Sequence, residues 1–451
     1  MSANDTTRVD FSIEFRWYHE RTLRPKNWIG VFFVLKEKKM NKIDRSRLFE
    51  TLKERGYVYQ MSNEEKVREI LNGKPTTVYV GIDPTADSLH IGHFFSLMMI
   101  KYFQDAGHHV IVLIGGATAM VGDPSGRTDM RKMLTKEQVE HNLNEVKTLV
   151  ERFVDTKGDN PAKIVSNAEW FAGYDYVNFM RDVGCYFNVN KMLTNDAYAR
   201  RLAEGGLTFL EMGYMLMQAY DFVYLNEKYG CTMQVGGSDQ WGNMTAGTEL
   251  GRKLNFVDGK DRVLECLTCP LLTNSEGQKM GKTAKGALWV AREKTSVYDF
   301  YQYFYNIQDK DVETLLRLFT RIPLDEIKNL VNTDIIAAKK RMAFEITKLV
   351  HGEQEAQVAV AMADNLFSNG GDNAPIVEIS KSEFPMNICD LIFKTNLAPS
   401  KSEGRRLVQG GAITFKNEKV ERFDLQVSAE DVGDGALLKK GKMSFIKVKV
   451  V

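Results

Sequence analysis

The sequence predicts an α/β protein: a doubly wound parallel sheet, then an all-helical domain, then a small α+β module. Three observations carry this. The apolar run Thr77–Ile82 meets a turn at Asp83-Pro84 and then an apolar-periodic helix beginning near His90. The run His109–Ile114 is apolar throughout, as suits a parallel strand buried on both faces. Two such strands joined by a helix imply a right-handed crossover within one sheet, and beyond Thr295 the strand-like runs stop.

At 451 residues the chain is long enough for two or three domains. Its 60 basic and 59 acidic residues leave a net charge of +1, so any nucleic-acid surface must be a local patch. Five sparse cysteines suit a reducing compartment, and a cytoplasmic location is expected. Within that set, Cys266-Leu-Thr-Cys269 reads as structural thiols on a strand, with a metal site as the alternative.

Residues 1–39 stand apart. The apolar stretch 28–35 follows Arg21, Arg24 and Lys26, but it is too short to span a bilayer, and charged residues follow where a cleavage site belongs. A non-essential extension, or a start site placed too early, is favoured over a targeting segment, and no membrane association is expected.

From there the elements run in order. Residues 43–56 and 63–71 read as helices, and Thr77–Ile82 opens the sheet. A helix starting near Ile91 points its unpaired N–H groups and positive dipole end at the preceding loop, which suits an anionic ligand. Gly92 allows a flat base or ribose close to the backbone. His90 and His93, three apart, share one face as paired donors; a zinc pair or two surface histidines is the alternative reading. Glycine-rich turns follow the second strand, with Arg127 and Arg131 beyond them, and Thr135-Lys-Glu-Gln138 is a capping box that opens a helix to about Phe153. Residues 163–165 read as a further strand.

Residues 207–224 form an apolar helix in which Tyr214, Gln218 and Asp221 make one polar stripe, facing a ligand or, alternatively, water. Residues 234–243 read as a strand ending in a glycine turn that presents Asp239 and Gln240. Another strand is expected at 269–273, leading into a mobile-looking loop that carries Lys279 and Lys282. Helices are expected at 296–305, 309–319, 324–331, 334–350 and 354–366. The domain reading is therefore 1–39 extension, 40–262 sheet domain, 263–295 linker, 296–368 helical domain, 369–383 flexible linker and 384–451 terminal module. In the last, Lys401, Arg405 and Arg406 lie near one face of a Ser-capped helix, a local patch for phosphate contacts.

With these motifs assembled, residues 40–451 resemble the bacterial-type tyrosyl-tRNA synthetases, class I aminoacyl-tRNA synthetases with a Rossmann-like catalytic domain. His90-Ile-Gly-His93 matches their H-I-G-H signature, Lys279-Met-Gly-Lys-Thr283 their K-M-S-K-S loop, and residues 399–420 an S4-type RNA-binding domain. The resemblance implies a helical anticodon-binding domain, activation of L-tyrosine with ATP to tyrosyl-adenylate, and transfer to the 3′ end of tRNA-Tyr. It implies Mg2+ accompanying ATP, no structural metal, and a homodimer. It assigns His90 and His93 to phosphate and ribose, and Lys279, Lys282 and Thr283 to the departing pyrophosphate, assisted by Arg127 and Arg131. Tyr79 and Asp221 would bind the substrate phenol, and Asp123, Tyr214 and Gln218 its ammonium group. Asp83, also counted with the tyrosine site, would line the ribose and carboxylate side with Asp239 and Gln240, and Thr85, Gly92 and Gly237 would complete the ATP site. Lys401, Arg405 and Arg406 would meet tRNA.

Gly281 and Thr283 depart from the generic serines of that loop, Arg127 stands where lysine is common, and Gly404 occupies a helical position more often alanine. Tryptophanyl-tRNA synthetases share the sheet and both signatures. They usually lack the S4 module, and a Tyr79/Asp221 pair suits a phenol better than an indole N–H, which only donates. A catalytically silent RNA-binding relative would have lost His90, His93, Lys279 or Lys282, and a small nucleotidyltransferase would need neither terminal module.

Overall fold

The computed structural model describes residues 43–125, 133–283, 286–368, 376–398, 400–441 and 444–451. The expectations for residues 1–39, for Arg127 and Arg131, and for 369–375 fall outside these. Among the described residues, no helix is long and apolar enough to cross a membrane.

Two short helices, α1 (Leu48–Arg55) and α2 (Glu64–Asn72), flank the first, edge strand of the sheet. Its strands are β1 (Gln60–Met61), β2 (Thr77–Ile82), β3 (His109–Ile114), β4 (Lys163–Ser166), β5 (Cys231–Gly237) and β6 (Glu265–Cys269), in the order β1-β6-β5-β2-β3-β4. β1 is an antiparallel edge and the other neighbours are parallel. The chain thus winds outward from β2 through β3 to β4, then returns to the other side of β2 for β5. Between β2 and β5 the winding reverses, and ligands of such sheets sit at that crevice, beyond the carboxyl ends of the strands.

Alternation along the strands decides which side chain meets which layer. Val78, Val80, Ile82, Val110 and Val112 join the core around helix α3 (Ile91–Asp105). Tyr79, Ile111 and Leu113 point the other way, into a second core with Met215, Ala219 and Phe222 of the long helix Phe209–Tyr229. The period of two thereby delivers Tyr79 to the helix that bears Asp221.

Two expectations are corrected here. The strand expected at 269–273 lies instead at Glu265–Cys269, inside the sheet, so the stretch read as linker from 263 begins with a core strand. Pro270 has no N–H to continue the ladder. The stretch read as flexible linker to 383 contains a strand, Ile376–Ile379, paired in parallel with Ser444–Val450 at the edge of a five-stranded terminal sheet.

The helices Val297–Tyr305, Asp309–Phe319, Leu324–Thr333, Ile335–His351 and Glu353–Ser368 share their core with α3. Phe319 stacks on Phe94 with centroids 5.6 Å apart. Arg55 donates to the carbonyls of Thr320 and Ile322, each at 2.9 Å, which closes the end of Asp309–Phe319 onto α1. The terminal module has its own core beneath the helices Ile388–Lys394 and Lys401–Gln409.

Candidate active site

A cleft of about 600 Å³ opens at the carboxyl ends of β2, β5 and β6, at the reversal point of the sheet. Tyr79, Asp83, Tyr214, Gln218 and Asp221 line it, as do Asp123, Asp239, Gln240 and Gly237. Thr85, His90, Gly92, His93 and Lys279 complete the contribution of the residues singled out from sequence.

The inner end is built from β2 and the helix Phe209–Tyr229, which starts with a Thr208/Glu211 capping box and stops at Gly230 in the left-handed region. Tyr79 is fully buried on Phe222, 5.3 Å between centroids, and its hydroxyl has no hydrogen-bond partner among the described residues. A buried hydroxyl left unpaired is costly, so this atom awaits one. Asp221 is 1 % exposed and accepts from Trp170 Nε1 at 2.8 Å and Asn167 Nδ2 at 3.1 Å. Burial pushes its carboxyl well above the usual range, against the pull of those two donors. Burial likewise pushes the Tyr79 phenol up, and the Asp221 charge adds to it. The Tyr79 phenol thus keeps its proton at neutral pH.

Further out, Asp83 accepts from Thr118 Oγ1 at 2.7 Å and from the Tyr214 hydroxyl at 2.8 Å. Asp123 accepts from Gln240 Nε2 at 2.7 Å, Asn243 Nδ2 at 3.3 Å and the Ser125 N–H at 2.9 Å. Asp83 and Gln240, both assigned by resemblance to the ribose and carboxylate side, are therefore bonded to groups expected at the ammonium, Tyr214 and Asp123. The two sides form one polar wall.

At the mouth, His90 is the N-cap of α3. Its Nδ1 accepts the N–H groups of Gly92 at 3.1 Å and His93 at 3.4 Å, while His93 Nδ1 faces the N–H of His90 at 3.5 Å. A backbone N–H only donates, so each ring carries its proton on Nε2. Both Nδ1 atoms thus face the backbone of the first turn, and the two rings stack at 3.7 Å. Gly92 suits the motif: a Cβ there would stand 3.0 Å from His90 Cε1, so the capping ring would have to shift.

The lysine loop is pinned at both ends. Met280 N–H donates to Leu272 at 2.8 Å, and beyond the loop Val290 N–H donates to Leu89 at 2.8 Å while Ile91 N–H donates to Leu288 at 3.2 Å. Lys279–Thr283 is thus laid over the start of α3. Gly281 has φ +82°, donates its N–H to the Tyr303 hydroxyl at 2.8 Å, and has room for no Cβ, which would fall 2.4 Å from Ile91 Cγ2. Glycine in place of serine is a fit to this backbone. Lys282 and Thr283 form a short strand with Gly286 and Ala287.

Asn167, Trp170 and Thr118 escaped the sequence reading, as did Gln234, whose buried Oε1 has no partner in the cleft. The signal for Gln234 was present, a polar residue inside an apolar strand. Cys266 and Cys269 are free, buried thiols three apart on β6, hence on opposite faces, where they cannot share an ion. Lys401, Arg405 and Arg406 lie away from the cleft in the terminal module. Lys401 pairs with Asp390 at 2.9 Å, Arg405 covers the Phe423 ring at 3.9 Å, and Arg406 pairs with Glu403 at 3.6 Å.

Residues 71–368 match the family described as tRNA synthetases class I (W and Y), and residues 367–448 match a tyrosine-tRNA ligase C-terminal domain. A tyrosine-tRNA ligase of Clostridium botulinum (strain Alaska E43 / Type E3) is 49% identical over 411 residues, 90% of this chain and 100% of the relative. The chain belongs to the tyrosine-tRNA ligase family. A second member, from Acetivibrio thermocellus, is 50% identical over 414 residues with the same coverage. Among solved structures, a C-terminally truncated mitochondrial tyrosyl-tRNA synthetase of Aspergillus nidulans superposes with a TM-score of 0.64 at 29% identity, covering 71% of this chain and 94% of that one. The class I synthetase fold and the family agree with the expectations from sequence.

Proposed function

We propose that this chain is a tyrosine-tRNA ligase that joins L-tyrosine to ATP as tyrosyl-adenylate, releasing pyrophosphate, and passes the tyrosyl group to the 3′ end of tRNA-Tyr. The observation that carries this is a buried Tyr79 hydroxyl, unpartnered among the described residues, sharing with the Asp221 carboxylate a cleft whose mouth holds His90, His93 and Lys279. A phenol both donates and accepts, so it satisfies Tyr79 and adds a donor to Asp221, whereas phenylalanine leaves the Tyr79 hydroxyl unpaired and brings Asp221 nothing beyond Trp170 and Asn167.

In the first step the tyrosine carboxylate attacks the α-phosphorus and the bond to pyrophosphate breaks, with no protein nucleophile. The chain's contribution is positioning and charge stabilisation. Asp123, Tyr214 and Gln218 hold the ammonium group, and Asp83, Asp239, Gln240, Thr85 and Gly237 line the remainder. His90 and His93 offer Nε2–H donors to phosphate and ribose at the positive end of α3. Lys279, Lys282 and Thr283 neutralise the pyrophosphate, with Arg127 and Arg131 assisting.

On this reading Mg2+ would accompany the triphosphate and would offset its charge. The carboxylates of Asp83 and Asp123 already accept from hydroxyl and amide groups, so the residues fit an ion carried by ATP rather than one caged by protein.

Tyrosine-dependent exchange of pyrophosphate into ATP by the purified chain tests this. Exchange driven by tryptophan, or by no amino acid, would sink it. Transfer to tRNA draws on the helical domain as the anticodon-binding domain and on Lys401, Arg405 and Arg406 as phosphate contacts. A homodimer is supported by the apolar side chains left in water at Tyr176 (62% exposed), Val177 and Phe209 (70% exposed). Sedimentation as a monomer at working concentrations would overturn it. Five unpaired thiols favour the cytoplasm.

A further inference from the structure

Asn167 stands between the two ends of the cleft. Its side chain is fully buried and makes no cap bond to the short helix it precedes. The Ala117 N–H reaches its Oδ1 at 2.8 Å, so that atom is the amide oxygen and Nδ2 carries both protons. One proton goes to Asp221 Oδ2 at 3.1 Å and the other to Thr118 Oγ1 at 3.0 Å. Thr118 accepts there and has one proton to give, which goes to Asp83 Oδ1 at 2.7 Å. Tyr214 gives its own proton to Asp83 Oδ2 at 2.8 Å. With that proton committed, the Tyr214 oxygen is left as an acceptor, the polarity an ammonium group requires. Gly115 makes room for this, since a Cβ there would stand 2.0 Å from Asp83 Oδ1 and 2.2 Å from Thr118 Oγ1.

We propose that Thr118 is a positioning residue that, through Asp83, sets Tyr214 as an ammonium acceptor, and that Asn167 ties this setting to the phenol-reading carboxylate of Asp221. Both ends of the amino acid are then read by one hydrogen-bonded chain, Trp170-Asp221-Asn167-Thr118-Asp83-Tyr214. The proposal rests on the cleft being the tyrosine site. Without the Thr118 hydroxyl, Asp83 loses the donor that holds Oδ1, and Tyr214 is released to aim its proton at the ligand.

The test compares Thr118→Val, which keeps the shape and removes the hydroxyl, with Thr118→Ser, which keeps the hydroxyl. Tyrosine is the substrate, and hydroxyphenylpropionate, which lacks the amino group, is the competing inhibitor. For Thr118→Val the KM for tyrosine should rise about ten- to a hundredfold, the scale of a hydrogen bond to a charged group. The inhibition constant of the deamino analogue should stay within about twofold, and Thr118→Ser should lie within about threefold of wild type.

Equal weakening of tyrosine and its deamino analogue, or a valine variant equal to wild type, would overturn the proposal while wild-type exchange left the functional reading intact. A wild-type chain without tyrosine-dependent exchange would remove both. Should the valine variant fail to fold, Thr118→Cys, a weak donor of similar size, should show the same selective loss in smaller degree, and an unselective loss there would overturn the proposal equally.

Discussion

Trp170 Nε1 donates to Asp221 Oδ1 across 2.8 Å, from an indole stacked on Tyr224 with centroids 4.4 Å apart. The stack fixes the plane of the indole, and the N–H fixes the carboxylate. Trp170→Phe should keep the ring and remove the donor. We expect kcat/KM for tyrosine to fall about ten- to a hundredfold with the KM for ATP unchanged, as measured by pyrophosphate exchange. Burial already holds the Asp221 carboxyl up and the indole pulls it down. Removing the indole N–H therefore moves the acid limb of the tyrosine profile to higher pH.

His90 has two jobs on two nitrogens, and substitution can separate them. Nδ1 caps α3, while the proposed function assigns Nε2–H to the nucleotide. His90→Asn keeps a capping acceptor, so its stability should stay near wild type, whereas His90→Ala should lose about 1 kcal/mol. Both should slow adenylate formation by about a hundredfold or more, the usual cost of removing one donor to developing charge. Thermal melts beside single-turnover kinetics would show whether stability and rate part in this way.

Gly281 carries the lysine loop over Ile91 at φ +82°. In Gly281→Ala the new methyl meets Ile91, and the backbone conformation is itself unfavourable. Strain of about 1–3 kcal/mol should displace the loop and slow adenylate formation about ten- to a hundredfold. Tyrosine binding, measured at equilibrium without ATP, should not change. A parallel loss of tyrosine affinity would show that the loop shapes the amino-acid pocket as well.

What the sequence made legible is what local pattern encodes. β2 and β3 appear at the expected residues because a strand buried on both faces has few apolar alternatives, and the stripe Tyr214, Gln218, Asp221 follows from helical period alone. Thr118, Asn167 and Trp170 were hidden because each is a lone polar or aromatic residue in a turn or a four-residue helix, with partners supplied by elements some 35 to 54 positions away. Ile376–Ile379 was read as linker because its partner strand begins at Ser444, beyond the reach of any local rule. The strand at Glu265–Cys269 differs from the expected 269–273, an apolar stretch in which Pro270 blocks the ladder.

Gly404 lies in the helix Lys401–Gln409 against Ile388–Lys394, where a Cβ would make ordinary contacts, 3.4 Å to Cys389 O and 3.5 Å to Ile392 Cγ2. Its φ is not in the left-handed region, so nothing in the backbone requires glycine there. Gly404→Ala should stabilise the terminal module by up to about 1 kcal/mol, through helix propensity and a less disordered unfolded chain. A denaturant melt in which the variant unfolds earlier would mean that the two helices cannot spare the few tenths of an ångström a methyl requires.

His351 ends the helix Ile335–His351 with its ring edge-on to Phe300 and its Nε2 unpaired. Burial, helped by the charges of Arg152 and Arg292, holds its imidazole down to about 4 from an ordinary 6.5. Between those values the unfolded chain binds a proton there and the folded chain does not. Stability therefore rises with pH across that window, is complete above about 6.5, and is lost as pH falls towards about 4. His351→Leu removes the titrating group, so its midpoint should fall less than that of wild type between about pH 7 and about pH 5 in paired thermal melts. His108, also held down by burial, leaves part of the slope in place. Equal slopes for the two proteins would place the acid sensitivity at His108 and the carboxylates instead of His351.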